Sequence, residues 1–580
     1  MNNKEGRMRA GQERRYRLNY MQPLRSANRT GLLWAALLFV LLPAAALLGF
    51  LEGSNPGQVL YNGIHLPAIW PQRDQTPTRE PMKVPYLVDP PKVIPIDIGR
   101  QLFVDDFLIE QTTLKRTFHA AEPFAGNPIL KADQAWELGP EGPRALVFSD
   151  GVWYDPADRT FKMWYLCGDM DATCYATSND GIHWEKPVLD VQPGTNIVLK
   201  GKRDSSTVWL DVQEKDSRRR FKLMYYDGGR NPAVAVLRFS ADGIHWGEPV
   251  ASSPPLDGVG DRTTIFWNPF REVWVFSIRD GIKEIGRCRR YWEDRDLMAC
   301  IQYKPGKPVW WTGADKLDAP DPVVKLPSQL YNLDAVAYES LMLGLFSIWR
   351  GPENEDLKDR PKRNEVSLGF SRDGFHWDRP DRRPFVGVSE RRGDWNWGNV
   401  QSAGGGCLIV GDILYFYFSG RRGNSDSTNV SSDAGSSTGL AFLRRDGFAS
   451  MDAGETEGTL TTRLVTFRGK YLFVNAGSDR GELRVEVLDA HGEVVPPFSR
   501  TLCAPIRSNK TLQAVRWNGV KDLGKVAGLQ VKFRFYLRNG HLYSFWVGPD
   551  PSGPSYGYVA AGGPGFADLK DTVGSAAYQH

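Results

Sequence analysis

The sequence predicts an all-β fold: a five-bladed β-propeller followed by a β-sandwich, with one N-terminal transmembrane helix. Three observations carry this. Five strand-turn-strand units each close on a glycine, at Gly181, Gly243, Gly306, Gly374 and Gly447, spaced 62, 63, 68 and 73 residues apart. Repeats of that length, rich in Trp, Tyr and Phe, are the signature of propeller blades around a channel. After Met451 the repeat gives way to a different strand set, and far upstream an uncharged apolar run of 22 residues spans 30–51.

Residues 1–29 form a basic arm, with Lys4 and seven arginines against Glu5 and Glu13. The formal charge of +4 on the 580-residue chain therefore belongs to the arm, and the body is about two charges negative. Such a body offers no basic field for nucleic acid. The run over 30–51 is long enough to cross a hydrocarbon layer of roughly 30 Å as a helix. A secretory signal peptide has a shorter apolar region of about 7–15 residues, so the length favours an uncleaved signal anchor, with secretion the outcome if it is cleaved. The positive-inside rule then leaves the arm in the cytoplasm and the body periplasmic or extracellular, attached to the membrane through this helix.

Residues 52–95 are rich in Pro, Gly and Asn without sustained periodicity and read as a linker. The propeller follows over 96–455. Four closures share a trailing Trp: SNDGIHW (178–184), SADGIHW (240–246), the degenerate YKPGKPVW (303–310) and SRDGFHW (371–377), with RRDGF (444–448) as the Trp-less fifth. His183, His245 and His376 recur at one position of separate blades, which sets them far apart. They read as scaffold in a turn whose Trp wedges between blades. A ring needs closing, and the orphan strand QLFVDDFLI (101–109) is expected to supply the outer strand of the last blade.

Over 456–548 the strands KYLFV (470–474) and ELRVEVL (482–488) precede KFRFYLR-NG-HLYSFW (532–546), whose Asn-Gly pair signals a hairpin in a β-sandwich. Residues 549–580 form a Gly/Pro-rich tail expected to wrap a surface or stay loose.

Six cysteines suit an oxidising compartment. Cys167 with Cys174, and Cys288 with Cys300, each flank a loop between strands, where a disulfide would close across a hairpin. Neither spacing suits zinc, and no metal or cofactor is expected.

Aligning the first strand of each unit places Glu339 on the turn position of Asp155, Asp211 and Asn268, a turn-stabilising role. In the same register Asp150 and Asp334 are equivalent, and Asp204 and Asp261 fall two residues earlier. Because side chains alternate with period two, all four share one face and ring one mouth of the channel. Cleaving a glycosidic bond needs one carboxylic acid to protonate the leaving oxygen and one carboxylate to attack carbon or activate water. The four aspartates are thus the candidate catalytic residues. Trp395 and Trp397, in the connection to the fifth unit, are candidate sugar platforms, and Arg203 and Arg262 flank the acids as candidate substrate-binding residues.

The five-unit organisation, the S-x-D-G-[IF]-H-W closures and the trailing sandwich resemble the five-bladed propeller glycosidases of glycoside hydrolase families 32 and 43. Arg203-Asp204 is similar to the Arg-Asp-Pro of family 32, with Ser205 in place of the proline. The resemblance implies that Asp204 stabilises the transition state and that Asp150 stands where a first-blade nucleophile or base is found. The Glu-Cys motif that supplies that family's acid is missing, and Asp261 stands in the third blade instead. Residues 102–109 are also shared with uncharacterised secreted bacterial propeller proteins. The expected function is glycoside hydrolase-like cleavage or processing of an oligo- or polysaccharide. A non-catalytic, lectin-like carbohydrate-binding propeller and a periplasmic protein-binding scaffold are the alternatives.

Overall fold

The computed structural model describes residues 57–579 apart from 74, 141, 257–259, 353–361 and 423–434. The expected cytoplasmic arm and transmembrane helix lie outside the described residues. Among the described residues no helix is long and apolar enough to cross a membrane. The chain from Asn55 onward forms one compact, mostly β unit.

Five antiparallel blades follow one another, the fourth and fifth joined in one nine-stranded sheet. Blade 1 comprises Ala145–Leu146 with Val152–Asp155, then Thr160–Cys167, Ala172–Ser178 and Ile197–Lys200; blade 2 comprises Arg203–Leu210, Phe221–Asp227, Val234–Ser240 and Ala251–Ser252. Blade 3 runs Thr264–Asn268, Val273–Ile282, Gly286–Asp294 and Val309–Gly313. Blade 4 contains Gln329–Glu339, Leu341–Gly351 and Arg363–Ser371, its outer position taken by bridges of Phe370 to Asp378 and Val366 to Val386. Blade 5 contains Asn399–Ser402 with Leu408–Val410, Ile413–Arg421 and Ser436–Arg444.

Hydrogen bonds between first strands close the ring. Val208 N donates to Asp150 O, Ser205 N to Asp261 O and Thr264 Oγ1 to Leu333 O. Blades 4 and 5 share a bridge between Asn364 and Asn399, and Val152 N returns to Gly404 O of blade 5. The strands are buried on both faces, as expected where each sheet is covered by its neighbours.

The outer strand of blade 5 is Glu122–Pro123, paired with Ala441 and Phe442. The expected strand over 101–109 goes elsewhere: Gln101–Leu102 pairs with Gly540–Gly548, and Ile109–Thr112 with Gly458–Thr462. The reason is its density of large apolar residues. Phe103, Phe107 and Leu108 are fully buried, and Phe103 stacks on Phe545 at 5.7 Å. An exposed outer strand offers no such core.

The second body is a sandwich of two sheets. One contains Asn509–Ala514, Tyr471–Gly477, Gly540–Gly548, Ala449–Ala453 and Lys115–Phe118; the other contains Ile109–Thr112, Gly458–Thr462, Lys532–Arg538 and Glu482–Leu488. The expected hairpin at Asn539-Gly540 is therefore corrected. Lys532–Arg538 pairs with Glu482–Leu488 and Gly540–Gly548 with Tyr471–Gly477, so the chain crosses between sheets at Asn539. The crossing lets Phe533, Phe535 and Leu537 face Leu542, Phe545 and Val547 in one core, whereas a flat hairpin would place both apolar faces on one side.

Residues on either side of these bodies are docked. Asn62 Nδ2 donates to Arg372 O and Tyr86 Oη to His376 O, holding the expected linker against blade 4. The tail crosses the far ends of the first strands. Tyr558–Val559 pairs with Tyr338 and Glu339, Ala561 N donates to Cys407 O, Tyr154 N donates to Ala561 O, and Ile409 N donates to Gly562 O. One segment thus ties blades 1, 4 and 5 together at the far ends of their first strands.

At that end Glu339 is fully buried at φ +48° and accepts from Ser555 Oγ (2.7 Å), Arg100 N (3.1 Å) and Arg445 Nη2 (3.1 Å). Burial pushes its carboxyl up, against the pull of Arg100 and Arg445. Its partners come from the N-terminal segment, blade 5 and the tail, so Glu339 joins chain segments rather than lining the mouth.

Cys167 and Cys174 form a disulfide on neighbouring strands of blade 1, with Cα atoms 6.0 Å apart. Cys288 and Cys300 do not pair. Cys288 lies on a strand opposite Asp280 and Gly313, while Cys300 sits on the short helix Leu297–Ile301 and directs its Sγ at Trp274 O.

Candidate functional site

The repeated closures are self-contained. In 240–246, Ser240 Oγ accepts from Gly243 N, Asp242 Oδ1 accepts from Ile244 N and His245 N, and Asp242 Oδ2 meets His245 Nδ1 at 2.7 Å. Residues 178–184 and 371–377 repeat the pattern. Asp and His satisfy each other inside the turn.

The four aspartates stand on or just before the first strands of blades 1 to 4. Blade 2 carries a register shift between Arg203 and Ser206, and such a bulge re-aims side chains. Both residues reach back to Asp150 of blade 1: Arg203 Nη2 lies 2.8 Å from Oδ1, and Ser206 Oγ donates to the same oxygen at 2.5 Å. Asp150 is fully buried, and burial raises its carboxyl pKa against the pull of Arg203 and Ser206.

Asp334 is held by neutral donors from three blades. Ser402 Oγ donates at 2.5 Å, Asn332 Nδ2 at 2.8 Å and Ser149 Oγ at 3.3 Å. Burial moves its pKa upward too.

Asp204 and Asp261 differ from these two. Ser205 N donates to Asp261 O at 3.2 Å, which fixes the two strand starts side by side. Asp204 Oδ1 is buried without a hydrogen-bond partner, and the Asp204 carboxyl is pushed up to about 6, first by burial and then by the neighbouring charge of Asp261. Asp261 stands 3.4 Å from Arg279 Nε, with 42% of its side chain exposed. Both residues are half-buried, so the two carboxyls act on each other while remaining in reach of solvent.

Arg262 links the set. Its guanidinium is 1% exposed and lies 3.5 Å from the centre of the Phe148 ring, and its charge acts on Asp150, Asp204 and Asp334. All four sequence-derived aspartates and both arginines thus fall in one neighbourhood.

Trp395 and Trp397 are used differently. The Trp395 ring covers Gly420 and Gly439 so closely that a Cβ on either would meet it at 2.3 or 2.4 Å, and it leans on Phe418. Trp397 lies under Arg392. Among the described residues neither indole hydrogen-bonds to any of the four carboxyls.

Residues that the motif gave no reason to select complete the mouth. Phe148, at φ +51°, is a bulky aromatic in the left-handed region, where strain concentrates at functional sites. Arg289 is fully buried and donates to Arg262 O, Tyr331 O and Asn332 Oδ1. Arg421 lies 5.4 Å from the Phe148 ring centre. No group of three or more His, Cys, Asp or Glu among the described residues is arranged to hold a metal ion.

No protein-family model matches the chain, and no curated protein matches it. Solved structures similar to it include an N-acetylgalactosamine deacetylase from F. plautii in complex with blood group B trisaccharide, at 14% identity and TM-score 0.38, over 58% of this chain and 96% of that one. A fructofuranosidase variant from Schwanniomyces occidentalis complexed with fructosylnystose matches at 10% identity and TM-score 0.35, over 72% and 96%. A family 43 arabinoxylan arabinofuranohydrolase from Bacillus subtilis in complex with cellotetraose matches at 10% identity and TM-score 0.34, over 74% and 99%.

Proposed function

We propose that the chain is a glycoside hydrolase-like protein that cleaves an oligo- or polysaccharide at the mouth of its five-bladed ring. The observation that carries this is the Asp204–Asp261 pair. A general acid works best with a pKa near the operating pH, and Asp204, held near 6, keeps a proton into that range. Asp204 donates this proton to the departing glycosidic oxygen, while Asp261, across the blade boundary, attacks the anomeric carbon or activates water. Asp150 is committed to Arg203 and Ser206, and Asp334 to three neutral donors, so both act as positioning residues that hold strand starts and sugar hydroxyls in place. The Cys167–Cys174 disulfide supports a body in an oxidising compartment beyond the membrane anchor over 30–51.

The test is a glycan panel incubated with the full-length protein, scored for released reducing ends. Asp204→Asn and Asp261→Asn are each expected to lower the rate at least a hundredfold without lowering the melting temperature. Hydrolysis untouched by both substitutions would remove the assignment, and saturable glycan binding without turnover anywhere on the panel would make the mouth a lectin site.

A further inference from the structure

Residues 75–85, ahead of the propeller, cross from blade 3 to blade 4 and are pinned along the way. Arg79 donates through Nη1 to Ile285 O at 3.0 Å and through Nη2 to Ser328 O at 2.8 Å, Lys316 N donates to Arg79 O, and Met82 Sδ accepts from Trp377 N. Between this segment and the blades lies a cleft of about 540 Å³, inside the range of roughly 300–1,000 Å³ typical of small-molecule sites. None of the four aspartates of the mouth lines it.

Part of the lining is aromatic. Trp311, on the fourth strand of blade 3, goes into the core and donates to Phe375 O, whereas its neighbour Trp310 is half-buried and lines the cleft beside Thr312. Another part is a polar lattice made of Arg379, Arg382 and Asp315. Arg379 clamps Asp318 through Nη1 and Nη2 at 2.8 and 2.6 Å, Arg382 Nε donates to Arg379 O at 2.7 Å, and Arg382 Nη1 donates to Asp315 Oδ2 at 2.8 Å. Asp315 Oδ1 accepts from Leu317 N, which fixes the carboxyl through both oxygens. The crossing segment adds the Gln75 amide and the Thr76 hydroxyl.

This combination selects among ligands. Both guanidiniums already hold a carboxylate, so the lattice has no call for an anion, and a purely apolar guest would strip water from polar groups without replacing their hydrogen bonds. A sugar suits both parts: its hydroxyls donate and accept, carboxylate oxygens keep further acceptor capacity, and the less polar face of a pyranose packs on an indole. Because ion pairs hold the lattice in place before binding, little ordering cost remains.

We infer that this cleft is a second saccharide site, holding sugar residues of a polysaccharide on Trp310, apart from the mouth. The inference rests on the carbohydrate reading above and adds a non-catalytic hold on the same class of ligand. A glycan long enough to occupy both sites binds more tightly than either site alone allows.

The experiment is affinity electrophoresis of the full-length protein through gels containing soluble xylan, galactan, mannan or β-glucan. At least one gel is expected to retard the protein, and Trp310→Ala to raise the dissociation constant tenfold or more. Hydrogen exchange on the unmodified protein supplies a test that needs no variant: with the retarding polysaccharide bound, the amides of 75–84 and 310–316 should exchange at least fivefold more slowly. A bound glycan that leaves both segments unprotected would overturn the inference, as would a folded Trp310→Ala protein that binds within twofold of the unmodified one, or no retardation in any gel. Protection at the cleft with no glycan hydrolysed keeps this inference and removes the hydrolase reading; hydrolysis without protection at the cleft does the reverse.

Discussion

The indole of Trp164, on the second strand of blade 1, donates through Nε1 to the carbonyl of Gly243, 2.7 Å away in the turn that closes blade 2. The same latch recurs around the ring: Tyr417 of blade 5 donates to Gly181 O of blade 1, and Trp311 of blade 3 to Phe375 O of blade 4. Three of the five closures are thus sockets for an aromatic side chain of the preceding blade.

The socket explains its glycine. Gly243 has φ +78°, and a Cβ there would stand 2.5 Å from the Trp164 ring, whereas Gly306, in the degenerate third closure at φ +77°, has nothing within 4 Å. Gly243→Ala is expected to cost about 2–4 kcal/mol, from backbone strain plus the clash, and Gly306→Ala about 1–2 kcal/mol from strain alone. Denaturant midpoints of the two variants measure the difference, and equal losses would remove the socket as the cause.

Asp204 makes stability depend on pH. Its folded pKa of about 6 lies above its ordinary value of 3.8, so between those two the folded state binds the extra proton. Stability from this group therefore falls as pH rises through that window, and the whole penalty is in force above it. Asp204→Asn should raise stability at pH 7.5 by on the order of 1–3 kcal/mol and leave it nearly unchanged at pH 4. Unfolding curves at both values test this; an equal gain at both would exclude titration as the source.

The Arg203–Asp150 pair is buried on both sides. Arg203→Met leaves a carboxylate uncompensated and should cost about 3–5 kcal/mol, while Arg203→Met with Asp150→Leu should recover much of that. A double-mutant cycle on thermal unfolding gives the coupling, and a coupling near zero would contradict the pairing.

The cysteines give a count. Cys288, Cys300, Cys407 and Cys503 are free and buried, so Ellman's reagent should find almost no thiol in the native protein and four after denaturation without reductant. Six after prior reduction completes the check, and six without it would mean that Cys167 and Cys174 are open.

The local parts of this fold are legible in the chain. The D-G turns mark where strands reverse because Ser, Asp and Gly satisfy each other within four residues, and the spacing between turns gives the blade register that gathers Asp150, Asp204, Asp261 and Asp334. Pairing between distant segments is not legible. Glu122–Pro123 is two residues long and has no alternation to announce a strand, and Asn539-Gly540 carries a hairpin signal that core formation overrides. Cys300 escapes its expected partner because a short helix turns it toward Trp274. Arg289 and Arg421 sit on middle strands of their blades among many basic residues, and only proximity across blades singles them out.

The segment around Ala561 is made after every strand of the five blades, yet it bonds to Tyr154 and Cys407, and Glu122–Pro123 must wait for Ser436–Arg444 before it has a partner. Maturation is therefore late and non-local, the regime in which folding is slow. Until the segment around Ala561 has been made, a nascent chain holds a ring whose strand ends at Tyr154, Glu339 and Cys407 are bare.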